Sequence, residues 1–229
     1  MASVQKDSDR LTVLAALSEP MRRRAYALVA SSPGGVSRDG AAEALGVSRS
    51  VAAFHLDKLS EVGLVVVDYR RPEGRTGPGA GRPAKWYKRA PGEIAVSVPE
   101  RRYDFAASLL ARALTAVAET SRPIREVLRE VATARGHEIG AGLPKEVSVE
   151  ARAERLLEVL AELGYEPSMA GRRITLSNCP FHVLAEEHRE LVCGMNEALL
   201  GGIAEGAGLA RGAARLDPAP GCCCVVVDT

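Results

Sequence analysis

The sequence predicts a mainly α protein with an α+β C-terminal part, and three observations carry that reading. Apolar residues recur at helical spacing from Asp9 to Ala134, punctuated by serine caps, glycine stops and prolines. Short β-branched runs occur at Leu64 to Tyr69 and again beyond Glu166. Of the 229 residues, 46% are hydrophobic and 26% charged, which suits a folded globular chain and excludes a disordered or fibrous one.

The elements follow in order. Leu11, Val13, Leu14 and Leu17 give a short helix over residues 9–17. Pro20, whose missing N–H costs nothing at a first turn, opens a second helix that runs to about Ala30. Ser37 caps a third helix with Ala41, Ala42 and Leu45 inward, and Gly46 stops it. Ser48 caps a fourth, with Ala52, Leu56, Leu59 and Val62 on one stripe and His55 among them as a structural core residue. Leu64 to Tyr69 and Ala84 to Lys88 form a hairpin around the Gly/Pro/Arg loop Pro72 to Pro83. Residues 1–90 thereby read as a winged helix-turn-helix.

Residues 91–148 read as a linker with two dimerisation helices, Tyr103 to Glu119 and Pro123 to Ala134, whose wide apolar faces suit pairing with a second copy. Residues 149–229 read as a small α+β domain. It has a helix over Glu150 to Leu163, a hairpin of Glu166 to Ala170 and Arg173 to Ser177, and one long helix from Leu184 to Gly206. Strands at Ala213 to Leu216 and Cys223 to Val227 complete it.

The formal net charge of +1 hides two unlike parts: residues 1–90 carry net +6 and residues 91–229 net −5. Arg70 to Arg89 alone holds seven bases and one acid, a density that suits a polyanion. The helix-turn-helix spacing from Ser37 to Leu59 sets the fourth helix into a major groove of double-stranded DNA. With Ala52, His55, Leu56 and Leu59 inward, Ser48, Arg49, Ser50, Ala53 and Phe54 face bases, and Lys58 lies further along the same helix. Arg49 suits a bidentate contact to guanine, and Ala53 or Phe54 a thymine methyl. Arg75, Arg82 and Lys85 of the wing are expected to meet phosphates. Gly77 to Gly81 is no phosphate-binding loop of a nucleotide hydrolase, since no Gly-Lys-Ser/Thr follows and it joins two strands.

No apolar run approaches the ~20 residues that span a bilayer, and the N-terminus has no apolar leader core, so a cytoplasmic protein without a membrane partner is expected. All five cysteines, Cys179, Cys193, Cys222, Cys223 and Cys224, lie in the last 51 residues. Reduced thiols so confined suit metal binding or redox sensing. Thirteen residues separate Cys179 from Cys193 and 28 separate Cys193 from Cys222, so only the fold can gather them. In a strand, Cys222 and Cys224 share one face and Cys223 takes the other. Thiolates suit an iron-sulfur cluster or a zinc site, with His182 or His188 as a further ligand. A disulfide switch between Cys193 and a terminal cysteine, or a small organic effector, are alternatives. An enzyme using Cys179 near His182 lacks an oxyanion motif or a paired carboxylate and is not expected.

Ser48-Arg49-Ser50-Val51-Ala52-Ala53-Phe54-His55-Leu56-Asp57-Lys58-Leu59, with Gly63-Leu64-Val65 and Gly81-Arg82-Pro83-Ala84-Lys85-Trp86-Tyr87, resembles the ArsR-like bacterial repressors. Asn178-Cys179-Pro180-Phe181-His182, His188 through Cys193, and Leu216-Asp217-Pro218 with the terminal cysteines resemble the SufR-type branch of that group. The resemblance implies an iron-sulfur cluster of the 4Fe-4S type whose state controls repression of cluster-assembly genes. It also implies a terminal ligand pair at Cys223 and Cys224, with Cys222 the less certain ligand.

Overall fold

Side-chain caps set the helix starts of the N-terminal part in the computed structural model, which describes residues 11–70, 83–143 and 148–229. After α1 (residues 11–18), the Glu19 carboxylate accepts the backbone N–H groups of Met21 at 2.9 Å and Arg22 at 2.6 Å and so opens α2 (Pro20–Ala30). Ser37 Oγ accepts from Gly40 at the start of α3 (Arg38–Leu45), and Gly46, at φ +69°, ends it in the left-handed conformation that glycine adopts without strain. Ser48 Oγ accepts from Val51 to open α4 (Arg49–Glu61).

The hairpin strands are β2 (Val65–Arg70) and β3 (Ala84–Arg89). A two-residue strand β1 (Val36–Ser37), too short for any sequence pattern, pairs with the far side of β3, giving an antiparallel sheet of order β1-β3-β2. Ala25, Val29, Ala41, Ala52, Leu56, Leu59 and Tyr87 are buried in the core between helices and sheet. His55 Nδ1 lies 3.3 Å from Glu19 Oε2 at the edge of that core.

The chain divides into two compact units, Met1–Val96 and Ser97–Thr229, where the sequence suggested three segments. The second unit contains α5 (Tyr103–Thr120), α6 (Ile124–Ala141), α7 (Val149–Glu162), β4 (Pro167–Ala170), β5 (Arg173–Leu176), α8 (His182–Glu187), α9 (Arg189–Gly206), β6 (Ala214–Leu216) and β7 (Val225–Asp228). Its antiparallel sheet has the order β4-β5-β7-β6, with α9 against β6 and β7. α9 is buried on nearly every side, from Val192 to Gly206, as the central helix of the unit.

Three elements differ from the sequence reading. The second helix of the central pair extends to Ala141, and its buried face of Val127, Leu128, Ala132, Gly136 and Gly140 packs on α9. The apolar width that suggested a partner copy is therefore used within the unit for α6. The long helix is broken at His188 (φ −128°, ψ 49°) into α8 and α9, with no glycine or proline from Glu186 to Glu190 to signal it. Finally, β7 begins at Val225, so Cys222, Cys223 and Cys224 lie in a bent segment before the strand. Strand alternation does not apply to them.

α6 and α9 touch through their backbones. A Cβ on Gly136 falls 2.1 Å from the Leu199 carbonyl oxygen, and one on Gly202 falls 2.2 Å from that of Thr133. Only glycine permits such an approach at these two positions.

Candidate DNA-recognition face and thiol centre

The turn between α3 and α4 is Gly46-Val47-Ser48, and it projects the N-terminal end of α4 outward. Arg49, Ser50, Val51 and Phe54 are exposed there, Phe54 at 54% and Val51 at 40%, while Ala53 is half-buried. Val51 was missed by the sequence reading because a valine beside an apolar stripe reads as core. Ser48 serves as the cap and also shares a hydrogen bond with Ser50 Oγ at 2.9 Å. Arg49 Nε lies 2.6 Å from Asp39 Oδ1, so this exposed side chain is pre-oriented by α3.

Lys58 pairs with Glu61 at 2.6 Å. Lys85 Nζ meets Asp57 Oδ1 at 3.1 Å, and so anchors β3 to α4 where a free phosphate contact was expected. Arg75, Arg82 and the Gly77 to Gly81 loop lie outside the described residues.

Asp57 is the hub of this anchor, accepting from Arg38 Nη2 at 2.5 Å, Tyr87 Oη at 2.7 Å and Lys85. Burial alone raises its carboxyl, but hydrogen bonds from Tyr87 and Lys85 and the Arg38 charge outweigh that and hold it below the ordinary carboxylate range. The Tyr87 hydroxyl, buried and donating to that carboxylate, is pushed up to about 12. Beside the hub, Arg38, Arg49, Tyr69 and Lys85 line an open cleft of 360 Å³ between the helix-turn-helix and the wing. Arg70 stacks on Trp86, its guanidinium carbon 4.7 Å from the ring centroid.

Residues 17–68 match a protein family described as a helix-turn-helix domain. The first unit carries a helix-turn-helix domain. A helix-turn-helix domain is a DNA-binding unit, and its presence points to a regulator of transcription. No curated protein matches the chain. Among the described residues no helix is long and apolar enough to cross a membrane.

Below the helix-turn-helix domain in sequence, strand register gathers the thiols of the second unit. β5 and β7 pair as Arg173↔Asp228 and Ile174↔Val227, and that register continued sets the loop after β5 opposite the residues before β7. Cys223 N donates to Leu176 O at 2.8 Å there, so Cys179 and the terminal cysteines reach the same end of the sheet. α9, lying on β7, brings Cys193 from its second turn.

Electrostatic influence links the thiols as neighbours, Cys179 with Cys223 and Cys193 with Cys224. Cys222 is exposed and outside the group. Among the described residues, no three Cys, His, Asp or Glu side chains converge as a site for a single ion. His182 Nε2 lies 3.2 Å from Glu186 Oε1, and His188 Nε2 lies 4.0 Å from Glu187 Oε2, both histidines exposed.

The surroundings polarise these thiols. The Cys223 hydrogen bond, the Phe181 backbone N–H and the Arg101 charge lower the Cys179 thiol to about 7 against its burial. Cys223 is correspondingly raised, as the proton-bearing partner of Cys179 and through its own burial. Burial and the Cys224 neighbour push Cys193 up to about 12. Arg189 Nη2 lies 3.6 Å from Cys224 Sγ.

Two further groups were not legible in the sequence. Arg101 donates to the Asn178 side chain and to Cys179 O, while Asn178 Nδ2 donates to Glu100 O and Gly164 O and Arg102 N to Pro180 O. These bonds clamp the Cys179 loop. Asn196 Nδ2 donates to Cys223 Sγ at 3.2 Å, and Tyr165 Oη donates to Asn196 Oδ1. Neither Asn196 nor Tyr165 belongs to any spacing motif, so only the fold identifies them.

Proposed function

We propose that this chain is a transcriptional repressor, active as a homodimer, whose operator affinity is set by an iron-sulfur cluster of the 4Fe-4S type. Cys179, Cys193, Cys223 and Cys224 are its ligands, and the regulated genes are those of cluster assembly. What supports this reading is that Cys179, Cys193, Cys223 and Cys224, from three segments distant in sequence, act on one another electrostatically, while Cys222 is exposed.

Four thiolates are the donor set of a cubane cluster and also of structural zinc. A single zinc at ~2.3 Å from each sulfur needs all four drawn around one point. The same four cysteines could supply either donor set, and metal and sulfide content distinguishes the two. A bound cluster supplies a redox-active centre that oxidants can dismantle. Arg189 beside Cys224 offsets the negative charge that thiolates bring, and the Arg101 clamp holds Cys179 in place.

The ligands join the loop after β5, the second turn of α9 and the segment before β7, so their release loosens all three together. DNA affinity of loaded and stripped protein is expected to differ by ~1 to 3 kcal/mol, the usual range of allosteric coupling. Protein purified without oxygen should contain iron and acid-labile sulfide and absorb in the visible. Serine at Cys179, Cys193, Cys223 or Cys224 should remove both, and Cys222→Ser should retain them. Zinc in place of iron makes the centre structural, and identical operator binding by loaded and stripped protein across a salt titration refutes cluster control.

A further inference from the structure

Asn196 and Tyr165 form a buried polar pair beside Cys223, apart from the other buried asparagine, Asn178. Asn196 and Tyr165 are each 2% exposed and Cys223 3%, within a core that includes Met195, Leu199, Leu200 and Val225. Burying an amide and a phenol in such surroundings is costly unless both are bonded, and an apolar pair of similar shape is nearly neutral or stabilising in their place. Here both are bonded, and the chain of bonds ends on the Cys223 sulfur. The bonds have a direction: Tyr165 Oη donates to Asn196 Oδ1, which turns the amide so that Nδ2 faces Cys223 Sγ at 3.2 Å. α9 holds Asn196 three residues after Cys193, so one helix carries both a ligand and the donor to another ligand.

We propose that Asn196, oriented by Tyr165, is a positioning residue that donates a hydrogen bond to the ligating sulfur of Cys223 and thereby tunes the electron affinity of the bound group. The proposal rests on the iron-sulfur reading above for the identity of that group. A hydrogen bond to a ligand sulfur draws charge from it and stabilises the more negative, reduced form, so its loss lowers the midpoint potential. Tyr165→Phe leaves the amide in place without its orienting donor and acts in the same direction to a smaller extent. Met195→Leu perturbs the same core without touching this chain of bonds.

The test is spectroelectrochemical titration of anaerobically purified full-length protein and the three variants, with iron and sulfide content measured in each. Asn196→Leu is expected to keep iron and sulfide but to lower the reduced-to-oxidised ratio roughly tenfold at a fixed ambient potential, equivalent to 59 mV for a one-electron couple. Tyr165→Phe should shift less, and Met195→Leu not at all. Should Asn196→Leu fail to fold, Tyr165→Phe decides alone. Unshifted titrations for Asn196→Leu and Tyr165→Phe, or an equal shift in Met195→Leu, overturn the proposal. If the wild-type protein takes up no iron and sulfide, the iron-sulfur reading fails by itself. Cobalt(II) then serves as the probe: a displaced sulfur-to-cobalt charge-transfer band in Asn196→Leu supports the contact, and an unchanged band or no cobalt binding refutes it.

Discussion

Arg49 shows how one residue can be ready for DNA and yet already engaged. Its side chain is 65% exposed at the start of α4, held 2.6 Å from Asp39. A guanidinium donates from several N–H groups at once, so the ion pair fixes its direction while leaving donors for a base edge. Arg49→Ala is expected to cost ~1 to 3 kcal/mol on a preferred site and much less on random duplex. Asp39→Asn, by releasing the guanidinium, should tighten binding to both. Fluorescence anisotropy on the two DNAs measures this, and equal losses for Arg49→Ala refute base reading. Asp57 is engaged differently, as the tie between α4 and the wing. Its folded carboxyl titrates below its ordinary value of 3.8, so the stabilisation is complete above that value and is lost as the pH falls through the lower folded value. Thermal melts of the wild type should therefore lose stability below about pH 4. Asp57→Asn should start less stable at pH 7 and show a weaker acid dependence.

At the scale of elements, the α6–α9 contact is the tightest joint in the second unit, and its glycines are unequal. A Cβ at Gly202 strikes the Thr133 carbonyl oxygen at 2.2 Å, whereas one at Gly201 meets nothing nearer than Ala214 Cβ at 3.9 Å. Gly202→Ala should cost ~1 to 3 kcal/mol by overpacking. Gly201→Ala, one residue away on the same helix, should gain up to ~1 kcal/mol from helix propensity. Urea unfolding of the two variants checks this, and similar effects for both refute backbone contact as the cause. Because α9 also carries Cys193 and Asn196, a rigid joint here means that movement at the thiols is shared with α6 rather than absorbed along α9.

For the whole molecule, the second unit places α5 as the helix with an unpartnered face. Ala107, Ala111, Leu114 and Ala118 recur at helical spacing and are all exposed, Leu114 at 61%. α6, by contrast, spends its apolar face on α9. In the proposed homodimer this face of α5 is the expected contact, and a two-fold operator is then expected from isologous pairing of two recognition helices. Sedimentation should give a dimer at micromolar concentration, and Leu114→Glu should give a monomer with unchanged helix content and weaker operator binding. A wild-type monomer, loaded or stripped, refutes the dimer and the palindrome together.

Local chemistry determined the helix-turn-helix by itself. Ser37, Gly46 and Ser48 mark cap, stop and cap within a dozen residues, and each acts on its own backbone, so their meaning survives without knowledge of the fold. The Gly171-Arg172 turn between β4 and β5 was legible for the same reason. Thiol confinement to the C-terminal part was likewise plain, but which thiols meet was not. Cys223 and Cys224 share the centre because their segment bends before β7, and Cys179 joins them through the β5–β7 register across some fifty residues. The break at His188, the burial of α6 against α9, the Asp57 hub and the Tyr165–Asn196 donor chain are also long-range. Each depends on which surface another element covers, and that is decided by packing after the elements exist rather than by any residue's neighbours in the chain.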